Sequence, residues 1–155
     1  MKTLIVYYSF TGLNRKFAQA LSKELGFDLE ELKEENKRSM EGPGAFFCVL
    51  DTFLNNSNLM PTKSDPSQYE LVILGSPVWA GTLPPAMCKY IGKNKGKFKK
   101  TAFFSVNGMS AEKAFAKMEA LCGAKPVKTF EIQRKNVSDE SEYEKKAKEF
   151  AKVLQ

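Results

Sequence analysis

The chain has 155 residues, 43% of them apolar, and a formal net charge of +6. That length and composition fit one soluble globular domain over 1–155 with a sizeable core. The absence of histidine removes the commonest general base and the commonest metal ligand. No Cys, Asp or Glu cluster has metal-site spacing either.

Met1-Lys2-Thr3 leads straight into an apolar stretch too short to span a membrane. No small-residue cleavage site follows, so no signal peptide is expected. Cys48, Cys88 and Cys122 lie far apart, odd in number and without a Cys-x-x-Cys pair. Reduced, buried thiols in a cytoplasmic protein are the expectation.

In chain order, Leu4 to Tyr8 is an unbroken apolar run and predicts a strand. Asn14 to Leu25 repeats Phe17, Leu21 and Leu25 at helical spacing, and Gly26 is placed to end that helix. Phe27 to Leu32 predicts a second strand with charges inside it, and 35–43 a polar connection. Ala45 to Leu54 predicts a helix that is apolar on most sides, and 55–68 is loop. Leu71 to Leu74 is another unbroken run, and Pro84 to Ile91 starts with prolines as helices do. Thr101 to Val106 is a third run. A helix follows over Ser110 to Cys122 with Ser110 as its expected N-cap. Val127 to Ile132 predicts a broken strand, and Ser138 to Leu154 an amphipathic helix with Tyr143, Ala147, Phe150 and Leu154 on one face.

This βαβαβαβαβα pattern, without repeat or linker, predicts a three-layer α/β/α fold around a five-stranded parallel sheet. Strands buried on both faces are continuously apolar, as one, three and four are. Strands two and five carry Asp28, Glu30 and Glu31, and Lys128 and Glu131, as edge strands do. The doubly wound order 2-1-3-4-5 satisfies that distribution. Ligands then bind beyond the carboxyl ends of the strands, where the winding reverses between strands one and three.

Three loops share that edge. In "SFTGLN" (9–14) a helix start offers free N–H groups and a positive dipole end. Ser9, Thr11 and Asn14 add side-chain donors, and Gly12 permits close backbone approach. The turn suits a phosphate, although it lacks the Gly-Lys-Ser/Thr ending of a Walker loop and the Gly-x-Gly-x-x-Gly of a dinucleotide turn. An ordinary strand–helix turn capped by Thr11 or Asn14 competes with that reading. In "GSPVWAGTLPP" (75–85) the only tryptophan, Trp79, stands among small residues with little local core, and is expected to stack on a flat ligand. A tryptophan folded over a helix end is the competing reading. Gly81 can turn its peptide toward that ligand. In "SVNGMS" (105–110) Asn107 and Gly108 offer polar groups, and Met109 is adaptable enough to cover a ring.

With those stretches in view, the chain resembles the flavodoxin family, above all in "SFTGLN" and "GSPVWAGTLPPAM". The resemblance implies a cofactor, FMN. It implies that Ser9, Thr11, Gly12 and Asn14, with the backbone of Phe10 and Leu13, bind its phosphate. Ser76, Pro77 and Val78 would line the ribityl chain and inner ring edge, and Trp79 would stack on one face. Ala80 and Gly81 would lie near flavin N5, and Ser105, Asn107 and Gly108 would bound the pyrimidine end. Three departures stand out: Asn14 replaces the usual hydroxyl residue, the third loop has no aromatic, and the three loops have no carboxylate. Without acidic neighbours, a reduced anionic flavin is repelled less, so a less negative hydroquinone couple is expected.

The lysine-rich 92–100 joins helix three to strand four at the opposite edge and contains one aromatic, Phe98. A solvated loop is expected there, with no specific nucleic acid or membrane as partner. The leading function is an FMN electron carrier between redox partners, acidic ones being favoured by the positive charge. An FMN-dependent NAD(P)H:quinone-type reductase is the alternative, and a flavin-free interaction module a third. A phospho-acceptor receiver lacks its aspartates here, and a low-molecular-weight phosphatase its Cys-x5-Arg loop.

Overall fold

Why these residues form a sheet is visible in their alternation. In the computed structural model, which describes residues 1–36, 38, 39 and 41–154, Leu4 and Val6 point into one core cluster. Ile5 and Tyr7 point into the other. Such period-two alternation between two apolar layers requires a strand covered on both faces. The strands are β1 (Thr3–Tyr7), β2 (Asp28–Glu31), β3 (Leu71–Gly75), β4 (Thr101–Asn107) and β5 (Lys128–Gln133). The α-helices are α1 (Leu13–Leu25), α2 (Pro43–Leu54), α3 (Pro85–Lys93), α4 (Glu112–Cys122) and α5 (Glu140–Leu154).

The sheet is parallel throughout, in the order β2-β1-β3-β4-β5. This is the predicted doubly wound architecture. β1, β3 and β4 are buried along their whole length, whereas β2 and β5 are largely solvated. Helices α1 and α5 cover one face, where Phe17, Leu21 and Phe150 pack on Ile5, Ile73 and Phe104. Helices α3 and α4 cover the other, where Met87, Ile91 and Met118 pack with Val6, Leu74 and Phe103. Each fully buried large aliphatic side chain contributes roughly 1.5–3 kcal/mol.

Helix ends follow local chemistry with two corrections. Gly26 ends α1 in the left-handed region and donates its N–H to the Ser22 carbonyl at 2.7 Å. The expected N-cap of α4, Ser110, sits one residue early: Ala111 holds that position, and the Ser110 hydroxyl accepts only the Glu112 N–H at 3.3 Å. The N-cap of α1 is Gly12, without a side-chain cap bond, so neither Thr11 nor Asn14 caps it. Of the polar connection expected over 35–43, residues 37 and 40 lie outside the described residues. The described lysines of 93–100 are exposed between α3 and β4, at the amino edge. Among the described residues no helix is long and apolar enough to cross a membrane.

Candidate functional site

The carboxyl ends of β1 and β3 meet in register at Tyr7 and Gly75. Phe104 of β4 lies beside Gly75. A Cβ on Gly75 would lie 1.9 Å from the Phe104 ring, so only glycine lets this buried ring close the sheet there. The ladder runs one residue further: Tyr8 N–H donates to the Gly75 carbonyl at 2.9 Å, and Ser76 N–H to the Phe104 carbonyl at 3.1 Å. Beyond these bonds the chain turns into the first two predicted loops.

In the first loop Gly12 takes φ 92°, which a side chain would strain. The turn brings the backbone N–H groups of Phe10 to Asn14 to the start of α1, and none has an acceptor among the described residues. The Ser9 hydroxyl accepts the Arg15 N–H at 3.2 Å, and Thr11 is exposed. The loop thus presents a run of donors and two hydroxyls at the positive end of a helix dipole, the arrangement an anion requires.

Asn14 departs from its expected role. Its side chain is buried, its Nδ2 donates to the Val106 carbonyl at 3.0 Å, and its Oδ1 accepts the Val106 N–H at 2.9 Å. The β3–β4 ladder ends at Gly75, so the Asn14 amide takes the place of a β3 partner for Val106, whose other side pairs with β5. Its backbone N–H and the second Nδ2 hydrogen remain without an acceptor among the described residues.

Trp79 is buried: only 8% of it is accessible. The core missing from its own loop comes from elsewhere. Tyr8 and Phe10 meet it edge-on at 5.6 and 5.5 Å, and the Arg38 guanidinium lies over its ring at 5.6 Å. Edge contacts and a cation over the ring each stabilise such a packing modestly. Trp79 and Thr82 exchange both backbone hydrogen bonds at 2.8 Å, closing a turn whose central residues Ala80 and Gly81 have φ 47° and 75°. Two positive φ values mark a type I′ turn, and Ala80 adopts its conformation against the preference of an L residue. Ser76 is buried, with its hydroxyl donating to the Pro77 carbonyl, while Pro77 and Val78 are half-buried beside it.

In the third loop the side chains turn inward. Ser105 and Asn107 belong to β4 and are buried; Asn107 Nδ2 donates to Ser105 Oγ, and Asn107 Oδ1 accepts the Met109 N–H, both at 2.9 Å. Their side chains hold the turn, which leaves Gly108 and Met109 exposed at the edge. A shallow cavity of about 380 Å³ joins Gly108 to Gln133, Arg134 and Lys135.

Arg38 and Glu34 join the site without a motif to mark them in the sequence. Arg38 donates twice to Glu34 and once each to Asp51 and the Asn56 carbonyl, all at 2.7 Å. Glu34 also accepts the Tyr8 hydroxyl at 2.8 Å and the Ser57 hydroxyl at 2.6 Å. Burial alone would raise the Glu34 pKa, but hydrogen bonds from Arg38, Ser57 and Tyr8 hold it below the ordinary carboxylate range. Burial, then the Glu34 charge, raises that of Tyr8. No local pattern marks Arg38, which stands in a polar connection; its partners are assembled by the fold. Among the described residues no group of three or more His, Cys, Asp or Glu could hold a metal.

Comparison with solved structures places this edge in context. A flavoprotein from Lactobacillus acidophilus NCFM, solved in complex with FMN, superposes with a TM-score of 0.73 at 23% identity, over 84% of this chain and 92% of that one. Oxidised flavodoxin 1 from Bacillus cereus gives 0.58 at 18%, over 99% and 97%. A flavodoxin from the domain Archaea gives 0.57 at 18%, over the whole of both chains. This chain has the flavodoxin-like fold. No family model matches it, and no curated protein does. In a flavodoxin-like sheet the winding reverses between β1 and β3, which is where the unpaired N–H groups of Phe10 to Asn14 stand.

Proposed function

We propose that the chain binds FMN and carries electrons between redox partners in the cytoplasm. The observation that carries this reading is the run of unpaired N–H groups from Phe10 to Asn14 at the start of α1. They stand at the switch point of the sheet, where anionic ligands bind in such folds. The FMN complex of the Lactobacillus acidophilus flavoprotein and the resemblance of "SFTGLN" and "GSPVWAGTLPPAM" support the same cofactor. All three cysteines are free thiols, in keeping with a reducing compartment.

In this proposal the Ser9 and Thr11 hydroxyls and the N–H groups of Phe10, Thr11, Gly12, Leu13 and Asn14 hold the phosphate. Ser76, Pro77 and Val78 line the ribityl chain. The Ala80–Gly81 peptide and Trp79 contact the ring system, and the backbone of Asn107 and Gly108 bounds its polar end, where Ser105 acts by orienting Asn107. FMN supplies the redox chemistry when bound, and the chain supplies binding, orientation and field. The field differs from an acidic site. Arg38 offsets part of the charge of Glu34 and Asp51, which share it, and Arg134 and Lys135 lie beside Gly108. A nearby positive field favours the anionic reduced cofactor, so the hydroquinone couple is less negative than in flavodoxins with acidic sites. The net charge of +6 favours acidic redox partners, with transfer rates that fall as salt screens the encounter.

Stepwise anaerobic reduction, followed by visible absorbance and potentiometry, tests this reading. The expected result is a yellow protein reduced in two separate one-electron stages, with a second couple less negative than that of an acidic-site flavodoxin. A colourless protein that fails to take up added FMN overturns the proposal. Steady NAD(P)H oxidation by a quinone without a partner protein replaces the carrier with a reductase.

A further inference from the structure

Helix α2 is built inside out. Its buried side chains are Cys48 and Thr52, and the Thr52 hydroxyl donates to the Cys48 carbonyl. Its large apolar residues Phe46, Phe47, Val49, Leu50, Phe53 and Leu54 are exposed, Phe46 by 65% and Phe53 by 73%. None of the six belongs to either core cluster. At 3.6 residues per turn they fill one sector about 160° wide. An ordinary surface helix turns such a stripe toward the core. What anchors α2 to the body is polar: Asp51 accepts from Arg38, and the Cys48 thiol donates to the Ser39 carbonyl.

We propose that this face is the homodimer interface of the protein, with α2 packed antiparallel on α2 of a second copy. Three observations select that occupant. The first is area: at roughly 200 Å² for a whole phenylalanine and less for Leu and Val, the six expose on the order of 600 Å². That is at the upper end of the largest patch a monomer carries, roughly 300–600 Å². Doubled across a two-fold axis it gives about 1,200 Å², the lower bound of a stable interface. The second is symmetry. A two-fold interface must be complementary to itself, and Phe46–Val49–Leu50–Phe53 has spacings that read the same in both directions. An axis between Val49 and Leu50 sets Phe46 of one copy against Phe53 of the other. The third is charge. The only charged side chain of α2 is Asp51, off the apolar sector, so the face lacks both the cations that bind an anionic lipid surface and those that would select an acidic partner.

Sedimentation of the full chain, over dilutions from about 100 μM to about 1 μM, reads the assembly directly. The expected result is a dimer whose dissociation constant rises at least about 30-fold in Phe53→Asp, as loss of a buried aromatic anchor does. Leu50→Cys should form a disulfide-linked dimer under mild oxidation, while Gln19→Cys, exposed on α1, should not. This second readout holds even if the aspartate variant fails to fold. A wild-type chain that stays monomeric at every concentration overturns the proposal. So does a dimer that survives both Phe46→Asp and Phe53→Asp. A monomer that co-sediments with neutral phosphatidylcholine vesicles assigns the face to a lipid surface and overturns it as well.

Discussion

Replacing Asn14 by alanine separates a ligand-binding asparagine from a structural one. In the structure both ends of its amide are engaged with Val106, at 2.9 and 3.0 Å, and Val106 is 1% exposed. Asn14→Ala therefore removes two hydrogen bonds and leaves a buried N–H and a buried carbonyl without partners at the open end of the β3–β4 ladder. A neutral hydrogen bond is worth about 1 kcal/mol net, and each orphaned group costs about 1–3 kcal/mol. Water entering the space left by the amide recovers part of that. The expected loss is about 2–4 kcal/mol, seen in urea as a midpoint lower by roughly 1–2 M at unchanged slope. The assay is urea unfolding of the FMN-free protein followed by far-UV circular dichroism. Ser9→Ala, whose hydroxyl accepts one exposed N–H, should cost under about 1 kcal/mol while weakening FMN binding. A change below about 1 kcal/mol in Asn14→Ala, together with a large loss of FMN affinity, would refute the assignment of the side chain to Val106.

Two further outcomes follow from the packing and charge around the site. Gly75→Ala places a Cβ inside the Phe104 ring, and overpacking of that kind costs about 1–3 kcal/mol. The melting temperature should fall by roughly 2–12 °C, and Phe104→Leu in the same chain should recover part of the loss. Glu34 has a lowered folded pKa, against an unfolded value of 4.5. Its contribution is therefore complete above that value and is lost as pH falls through the folded pKa. Because Arg38 is held over Trp79 by Glu34 and Trp79 is the only tryptophan, intrinsic fluorescence should change in that acid window. In Glu34→Gln that acid transition should be absent; an unchanged transition would show that Glu34 does not govern it.

The order of the sheet was legible in the sequence because burial on both faces leaves a one-dimensional trace. β1, β3 and β4 are unbroken apolar runs, while β2 and β5 carry charges. That contrast is enough to put three strands inside and two at the edges. The phosphate-suited turn was legible for the same local reason: a strand end, two hydroxyls, Gly12 and a helix start lie within a few residues, and the left-handed φ of Gly12 depends on little else. The tertiary structure decided where the polar side chains went. Asn14 bonds a residue 92 positions away. Trp79 is buried by Tyr8, Phe10 and Arg38, all from other segments. Arg38 gains its partners only when α2, Asn56 and Glu34 are brought together. The inverted face of α2 was decided in the same way: the sequence shows a helix apolar on most sides, and only the fold determines which side is covered. A side chain that can hydrogen-bond equally well to water, a ligand or a distant strand carries no local preference among them, so its partner is set by whichever group the assembled fold brings within about 3 Å.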